Sequence, residues 1–134
     1  MYRLGDIVYF DNLKFPGGYD DEKKNRPCVV LFEEDDNIYC FTITSSTKMF
    51  NKKPNNFILI SNVLYNYHKL SFINLKSMIK RNKNDANYEG KINHENILLL
   101  KERIKALKDN NEKFKFIYDN IENNEEKILT LKNN

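Results

Sequence analysis

The chain is poor in the residues that build disulfide frameworks and metal centres. Of 134 residues only two are cysteine and two are histidine. Cys28 and Cys40 both sit inside apolar, strand-like runs, and neither has a second cysteine at CxxC spacing. They read as small buried side chains of a protein kept reduced. A bridge between them would require their strands to pair. His68 and His94 lie in unrelated segments, with no HxxxH pattern and no carboxylate pair matched to a histidine. Neither a zinc site nor histidine-pair acid–base catalysis is therefore expected, and no cofactor is expected. No apolar run is long enough to span a bilayer and no signal peptide is evident, so a cytoplasmic location is expected. Nor is there an excess of one charge. The 22 basic and 19 acidic residues leave a net charge of +3, which alone does not imply a polyanion partner. No internal repeat is apparent.

What is present is enough for one domain spanning 1–134, with a real core. A hydrophobic share of 40% excludes a wholly disordered chain. Charge is unevenly spread. Lys69, Lys76, Lys80, Arg81, Lys83 and Lys91 face only Asp85 and Glu89 between them, whereas the stretch from Asp109 onward is acidic to balanced. A basic middle with a neutral tail suits a localised polyanion face, and a solvated charged loop would look the same.

Strands are expected at Gly5–Phe10, Pro27–Glu34, Ile38–Thr44, Phe57–Ile60 and Phe72–Ile79. Glu34-Asp35-Asp36-Asn37 signals a tight hairpin. Alternation in the third strand puts Tyr39, Phe41 and Ile43 on one face and Ile38, Cys40, Thr42 and Thr44 on the other. Asp11–Lys24, Ser45–Asn56 and Asn82–Asn87 read as loops, and Asn62–Leu70 is tyrosine-rich and ambiguous. In the last third, Ile97, Leu100, Ile104 and Leu107 recur at helical spacing behind Asn93, a suitable N-cap. Asp109-Asn110-Asn111 ends that helix. Phe114, Ile117 and Ile121 form a second stripe, with a break expected at Asn123-Asn124. Strands followed by helices argue for α+β: a small antiparallel sheet or barrel, a β-core over 1–80, and helices over 92–132 packed on one side.

The most informative stretch is Asn25-Arg26-Pro27-Cys28-Val29-Val30-Leu31-Phe32. Pro27 forces Arg26 towards an extended backbone, so a cation is held at the mouth of an apolar strand. The strand Thr42-Ile43-Thr44 opens into Ser45, Ser46, Thr47 and Lys48. The intervening hairpin brings Arg26 and Thr44 to the same end of the sheet.

Gly5-Asp6-Ile7-Val8, Arg26-Pro27-Cys28-Val29-Val30 and Thr42-Ile43-Thr44-Ser45, in this order, resemble the MazF/PemK toxin family. Thr44-Ser45-Ser46-Thr47-Lys48 and Ile73-Asn74-Leu75-Lys76-Ser77-Met78-Ile79 are similar to the ToxN and CptN branch of that fold. The resemblance covers roughly residues 4 to 80. It implies an SH3-like antiparallel β-barrel with C-terminal helices. It also implies a toxin of a toxin–antitoxin system that cuts single-stranded RNA without a metal, neutralised by a repeat-RNA pseudoknot. The 12–25 loop does not follow the family pattern.

In such chemistry the RNA 2′-OH attacks the adjacent phosphorus, leaving a 2′,3′-cyclic phosphate and a 5′-OH. Arg26 suits the phosphorane oxygens, because it is always charged and its planar fork matches phosphate. Thr44 and Ser45 would donate hydroxyl hydrogen bonds, and Lys48 would add a second cation or protonate the leaving oxygen. RNA contacts are expected from Lys23, Lys24, Ser46, Thr47, Lys52, Lys53, Lys76, Lys80, Arg81 and Lys83. Tyr65, Tyr67 and Tyr88 are candidate stacking surfaces. Expected partners are substrate mRNA and an antitoxin RNA, or a protein antitoxin instead, with assembly through RNA or as a homodimer and no membrane. Two alternatives keep the fold: a toxin that grips gyrase, and a non-catalytic SH3-like binding module.

Overall fold

A computed structural model of the chain describes residues 1–10, 26–45, 47–60 and 71–133, the side chains of residues 26, 132 and 133 excepted. Among the described residues six strands form one antiparallel sheet: β1 (Asp6–Phe10), β2 (Arg26–Glu34), β3 (Asn37–Thr44), β4 (Phe57–Ile60), β5 (Ser71–Asn82) and β6 (Ala86–Lys91). Their order across the sheet is β4-β5-β3-β2-β1-β6. The described residues also form three α-helices: a short α1 (Thr47–Lys52), then α2 (His94–Leu107) and α3 (Glu112–Asn133). The architecture is α+β, as the strand-then-helix pattern implies. No helix among the described residues is long and apolar enough to cross a membrane.

The sheet buries both faces. Ile7, Val29, Phe41 and Ile73 pack on one side against Leu100 and Ile104 of α2 and Phe114, Ile117 and Ile121 of α3. Val8, Phe10, Cys28, Val30, Ile38, Cys40 and Ile79 fill a second cluster on the opposite face. Period-two alternation drives this split, and Tyr39 and Phe41 lie opposite Ile38 and Cys40 as expected. Between Val30 and Phe32 the β2–β3 register slips by one, so Leu31 and Phe32 both turn to the helix side.

The second cluster joins opposite ends of the strand order. Ile79 of β5 belongs to it, and Ala86 of β6 packs against it. A flat sheet would set β5 and β6 four strand spacings apart, ~19 Å. The connection from Asn82 to Ala86 reaches at most ~14 Å. The sheet therefore curls around this second core.

Several boundaries differ from the sequence reading. The sheet runs past residue 80 to Lys91, because β6 pairs with β1 from Phe10↔Ala86 to Asp6↔Lys91. Asn82–Asn87 is only partly a loop: a 3-10 turn at Lys83–Asp85 leads directly into β6. Ser45–Asn56 is not simply a loop either, since it holds α1 and a 3-10 turn at Pro54–Asn56. The helix α3 continues through Asn123-Asn124. Asparagine costs only ~0.7 kcal/mol in a helix, and Asn124 is buried there with its Nδ2 donating to the Tyr2 carbonyl at 3.5 Å.

Gly5 pins the entry to the sheet. Its φ is +96°, and an added Cβ would lie 2.7 Å from Ile97 Cδ1 and Cγ1. Its N–H donates to Val30 O at 3.0 Å and its carbonyl accepts from Ile92 N at 2.9 Å. A bare backbone here lets β1 lie directly under the start of α2.

Candidate functional site

The hairpin fixes the geometry of the strand ends. Residues Cys28↔Thr42, Val29↔Phe41 and Val30↔Cys40 are cross-strand partners. Continuing that register by two residues sets Arg26 opposite Thr44. Arg26 also pairs with Phe10 at the end of β1, and Thr44 with Phe72 near the start of β5. One end of the sheet thus gathers Arg26, Thr44 and the residues that follow Thr44.

Those residues are held in place by an aromatic anchor. Phe50 of α1 stacks on Phe72 of β5, with centroids 4.5 Å apart and planes at 19°. It also meets Phe57 of β4 edge-on at 6.4 Å. Arg103 Nη1 of α2 donates to Asn55 O at 3.1 Å, tying the following 3-10 turn to the helical layer. With Phe50 against the sheet, Lys48 is exposed two residues earlier and Lys52 two residues later. At i and i+4 these two lysines share a face of α1. Ser45 and Thr47 are exposed, Thr44 is half-buried, and Lys53 is exposed beyond the helix. The segment that follows Thr44 thus carries exposed hydroxyls and ammonium groups, side-chain types suited to holding a phosphodiester. Lys23, Lys24, Ser46, His68, Tyr65 and Tyr67 lie outside the described residues.

The basic run of β5 does not make one face. Between Phe41 and Thr42 the β3 partners jump from Met78 to Asn74, leaving Leu75, Lys76 and Ser77 as a three-residue bulge. Lys76 is exposed on that bulge, two residues from Asn74, which pairs with Thr42. Lys80 lies over the Tyr39 ring at 5.5 Å, on the helix side. Arg81 pairs with Ile38 and donates from Nη1 to Lys80 O at 2.8 Å. Lys83 is drawn to Glu33, 3.6 Å away. Ile38 lies six β3 residues from Thr44, so Arg81 is ~20 Å along the strand from the Arg26 end. Lys80, Arg81 and Lys83 therefore stand at the hairpin end, apart from the Arg26–Thr44 set.

His94 is exposed at the start of α2, behind Asn93, whose Oδ1 accepts from Asn96 N at 2.8 Å. Tyr88 is exposed on β6. Cys28 and Cys40 are fully buried and neither is in a disulfide, and desolvation pushes the Cys28 thiol up to about 12 and that of Cys40 well above the ordinary range. Neither is a nucleophile in this environment. Among the described residues no three His, Cys, Asp or Glu side chains cluster as a metal site would.

Sequence reading missed Phe50. It was legible only as one apolar position in a polar run, too short to show a period. No family model matches the chain, and no curated protein matches it.

Proposed function

We propose that this chain is a metal-independent endoribonuclease toxin that cuts single-stranded RNA by attack of the 2′-OH. The observation that carries the reading is the register that sets Arg26 opposite Thr44 at one sheet end, with Lys48 exposed four residues after Thr44 on an anchored helix. In this reading the Arg26 guanidinium neutralises the phosphorane oxygens. Thr44 and Ser45 donate hydroxyl hydrogen bonds to the same phosphate. Lys48 supplies the second cation or the proton for the leaving 5′-oxygen. The curl of the sheet, with Ile79 and Ala86 sharing one core, supports an SH3-like barrel as the scaffold. The resemblance to the ToxN and CptN branch supports a repeat-RNA pseudoknot as the antitoxin and a cytoplasmic site of action.

Induced expression in a bacterial host tests this reading. The native chain is expected to arrest growth, and Arg26→Ala to relieve the arrest while the purified variant still binds single-stranded RNA. Growth arrest undiminished in Arg26→Ala would instead favour a toxin that grips a protein. Loss of RNA binding with no cleavage to lose would favour a non-catalytic module.

A further inference from the structure

Away from the strand ends, α3 and β5 form a second feature that the cutting chemistry does not use. Among the described residues, β4 pairs with β5 only from Ser71 to Asn74, and no strand covers that side of β5 from Leu75 onward. The first turns of α3 lie along this stretch. Lys113 Nζ donates to Leu75 O in the bulge at 3.1 Å, and sits 5.1 Å from the Phe114 ring centre and 5.8 Å from that of Phe41. Phe116, three residues on and so on the same helix face, is 40% exposed. Its ring meets Phe32 and Tyr39 edge-on, each at 5.7 Å, while those two stack on each other at 4.5 Å. Lys80 caps the Tyr39 ring, and Lys76 projects from the bulge.

We infer that this strip of Lys76, Lys80, Lys113 and Phe116 is a binding surface for single-stranded RNA, with a base stacked on Phe116 and phosphates on the lysines. The inference deepens the RNA-cutting reading and rests on it for the identity of the polymer.

Charge supports the occupant. Among the described residues no carboxylate forms an ion pair with Lys76, Lys80 or Lys113. Burial, and then the neighbouring Lys76 charge, lowers the Lys113 pKa, so an anion there would relieve unbalanced positive charge. The acidic turn Glu33–Asp36 lies beyond Lys80, and exposed Glu112 and Asp119 flank Phe116 on its helix face, so the cationic part of the strip is Lys76, Lys80 and Lys113. Phe116 supplies what lysines cannot. Lysines alone would also guard an open strand edge against pairing, but a partly exposed ring braced on two others offers an ordered aromatic surface for stacking. The strip starts at Lys76, close to the Thr42–Asn74 pair, so one strand of RNA passing around the edge of β5 would reach both features.

The test uses a fluorescent, mixed-sequence 2′-O-methyl RNA oligonucleotide, which binds but cannot be cut by 2′-OH attack. Phe116→Ala is expected to weaken its binding about tenfold, within the usual range for base–aromatic stacking. Phe116→Leu serves as a second variant that keeps the contact to Phe32 and Tyr39 but offers no ring, and it is expected to show the same loss with an unchanged melting temperature. Lys76→Met with Lys80→Met should lower the slope of log affinity against log salt by about 1.4, at about 0.7 per phosphate contact. The chain has no tryptophan and eight tyrosines, so Phe116→Trp creates a single tryptophan, excited selectively to the red of tyrosine absorption, whose emission the oligonucleotide should quench. Unchanged affinity in folded Phe116→Leu, absence of quenching on a bound oligonucleotide, or absence of binding by the native chain would each overturn the strip. Stacking without cleavage of ordinary RNA would leave the strip standing and remove the nuclease reading instead.

Discussion

Phe50 lies flat on Phe72, ring centres 4.5 Å apart, and this contact joins α1 to the strand end opposite Thr44. Lys48 rides on the same short helix. A helix of six residues has almost no stability of its own, so its position depends on that ring.

Phe50→Ala should separate positioning from folding. The ring is only half-buried, so its loss should cost about 1–2 kcal/mol, below the ~3–5 of a fully buried phenylalanine. RNA cleavage should fall about tenfold or more in a sample that still melts cooperatively, because misplacing a catalytic group by about 1 Å is costly. Phe50→Leu should recover part of it. Thermal melts alongside cleavage rates decide this. Full activity in Phe50→Ala would mean that α1 needs no anchor.

Gly5→Ala should be destabilising by about 1–3 kcal/mol, from a positive φ and a steric clash together. The clash is with Ile97, 2.7 Å from the new Cβ. Adding Ile97→Ala relieves the clash but leaves the backbone strain and opens a cavity, so the double variant should not return to native stability. Urea denaturation of the three proteins checks the order.

Lys101 should contribute to stability with a defined pH limit. Its Nζ lies 2.8 Å from Glu125 Oε2 and 3.4 Å from Glu122 Oε1. Hydrogen bonding to Glu125 raises its pKa above the ordinary 10.5, partly offset by desolvation. A raised folded pKa gives stability that is fully present below the unfolded value and is lost as pH rises through the folded value. Lys101→Met should therefore cost about 0.5 kcal/mol at pH 7, since the groups are partly exposed. That cost should shrink in strongly alkaline buffer. An equal difference at both pH values would show that the loss is packing and not charge.

The two thiols should be silent in the folded protein. Burial holds Cys28 near 12 and Cys40 higher than its ordinary value, so at pH 8 neither supplies thiolate. A colorimetric disulfide reagent should report no reaction until denaturant is added, and then two equivalents. Rapid reaction of the native protein would place at least one cysteine at the surface.

The β2–β3 hairpin was legible because the alternation of β3 and an acidic turn place Arg26 and Thr44 at one sheet end, whereas the one-residue slip between Val30 and Phe32, which sets Arg26 opposite Thr44 and not Ser45, left no mark in the sequence. Asp35 takes a φ of +55°, which aspartate tolerates in a turn. The β5 bulge left no mark either. Its run Asn74-Leu75-Lys76-Ser77-Met78 alternates like an ordinary strand, and the Lys113 Nζ that donates to the bulged Leu75 carbonyl comes from a helix 38 residues on. That bulge divides a basic run that looked continuous. The β6 strand was missed because Asn87, Glu89 and Lys91 face solvent and Ala86 and Gly90 are small, leaving little strand signal. The full length of α3 was missed because Asn124 reads as a helix breaker until its burial beside Tyr2 is seen.

Metal-independent cutting at the Arg26 strand end is tested by incubating the purified native chain and Arg26→Ala with single-stranded RNA in excess EDTA and mapping the ends. Cleavage by the native chain alone, leaving 2′,3′-cyclic phosphate and 5′-OH, is the predicted result. Folded native protein that leaves several varied RNAs intact, or an Arg26→Ala variant that cuts as fast as the native chain, would contradict it.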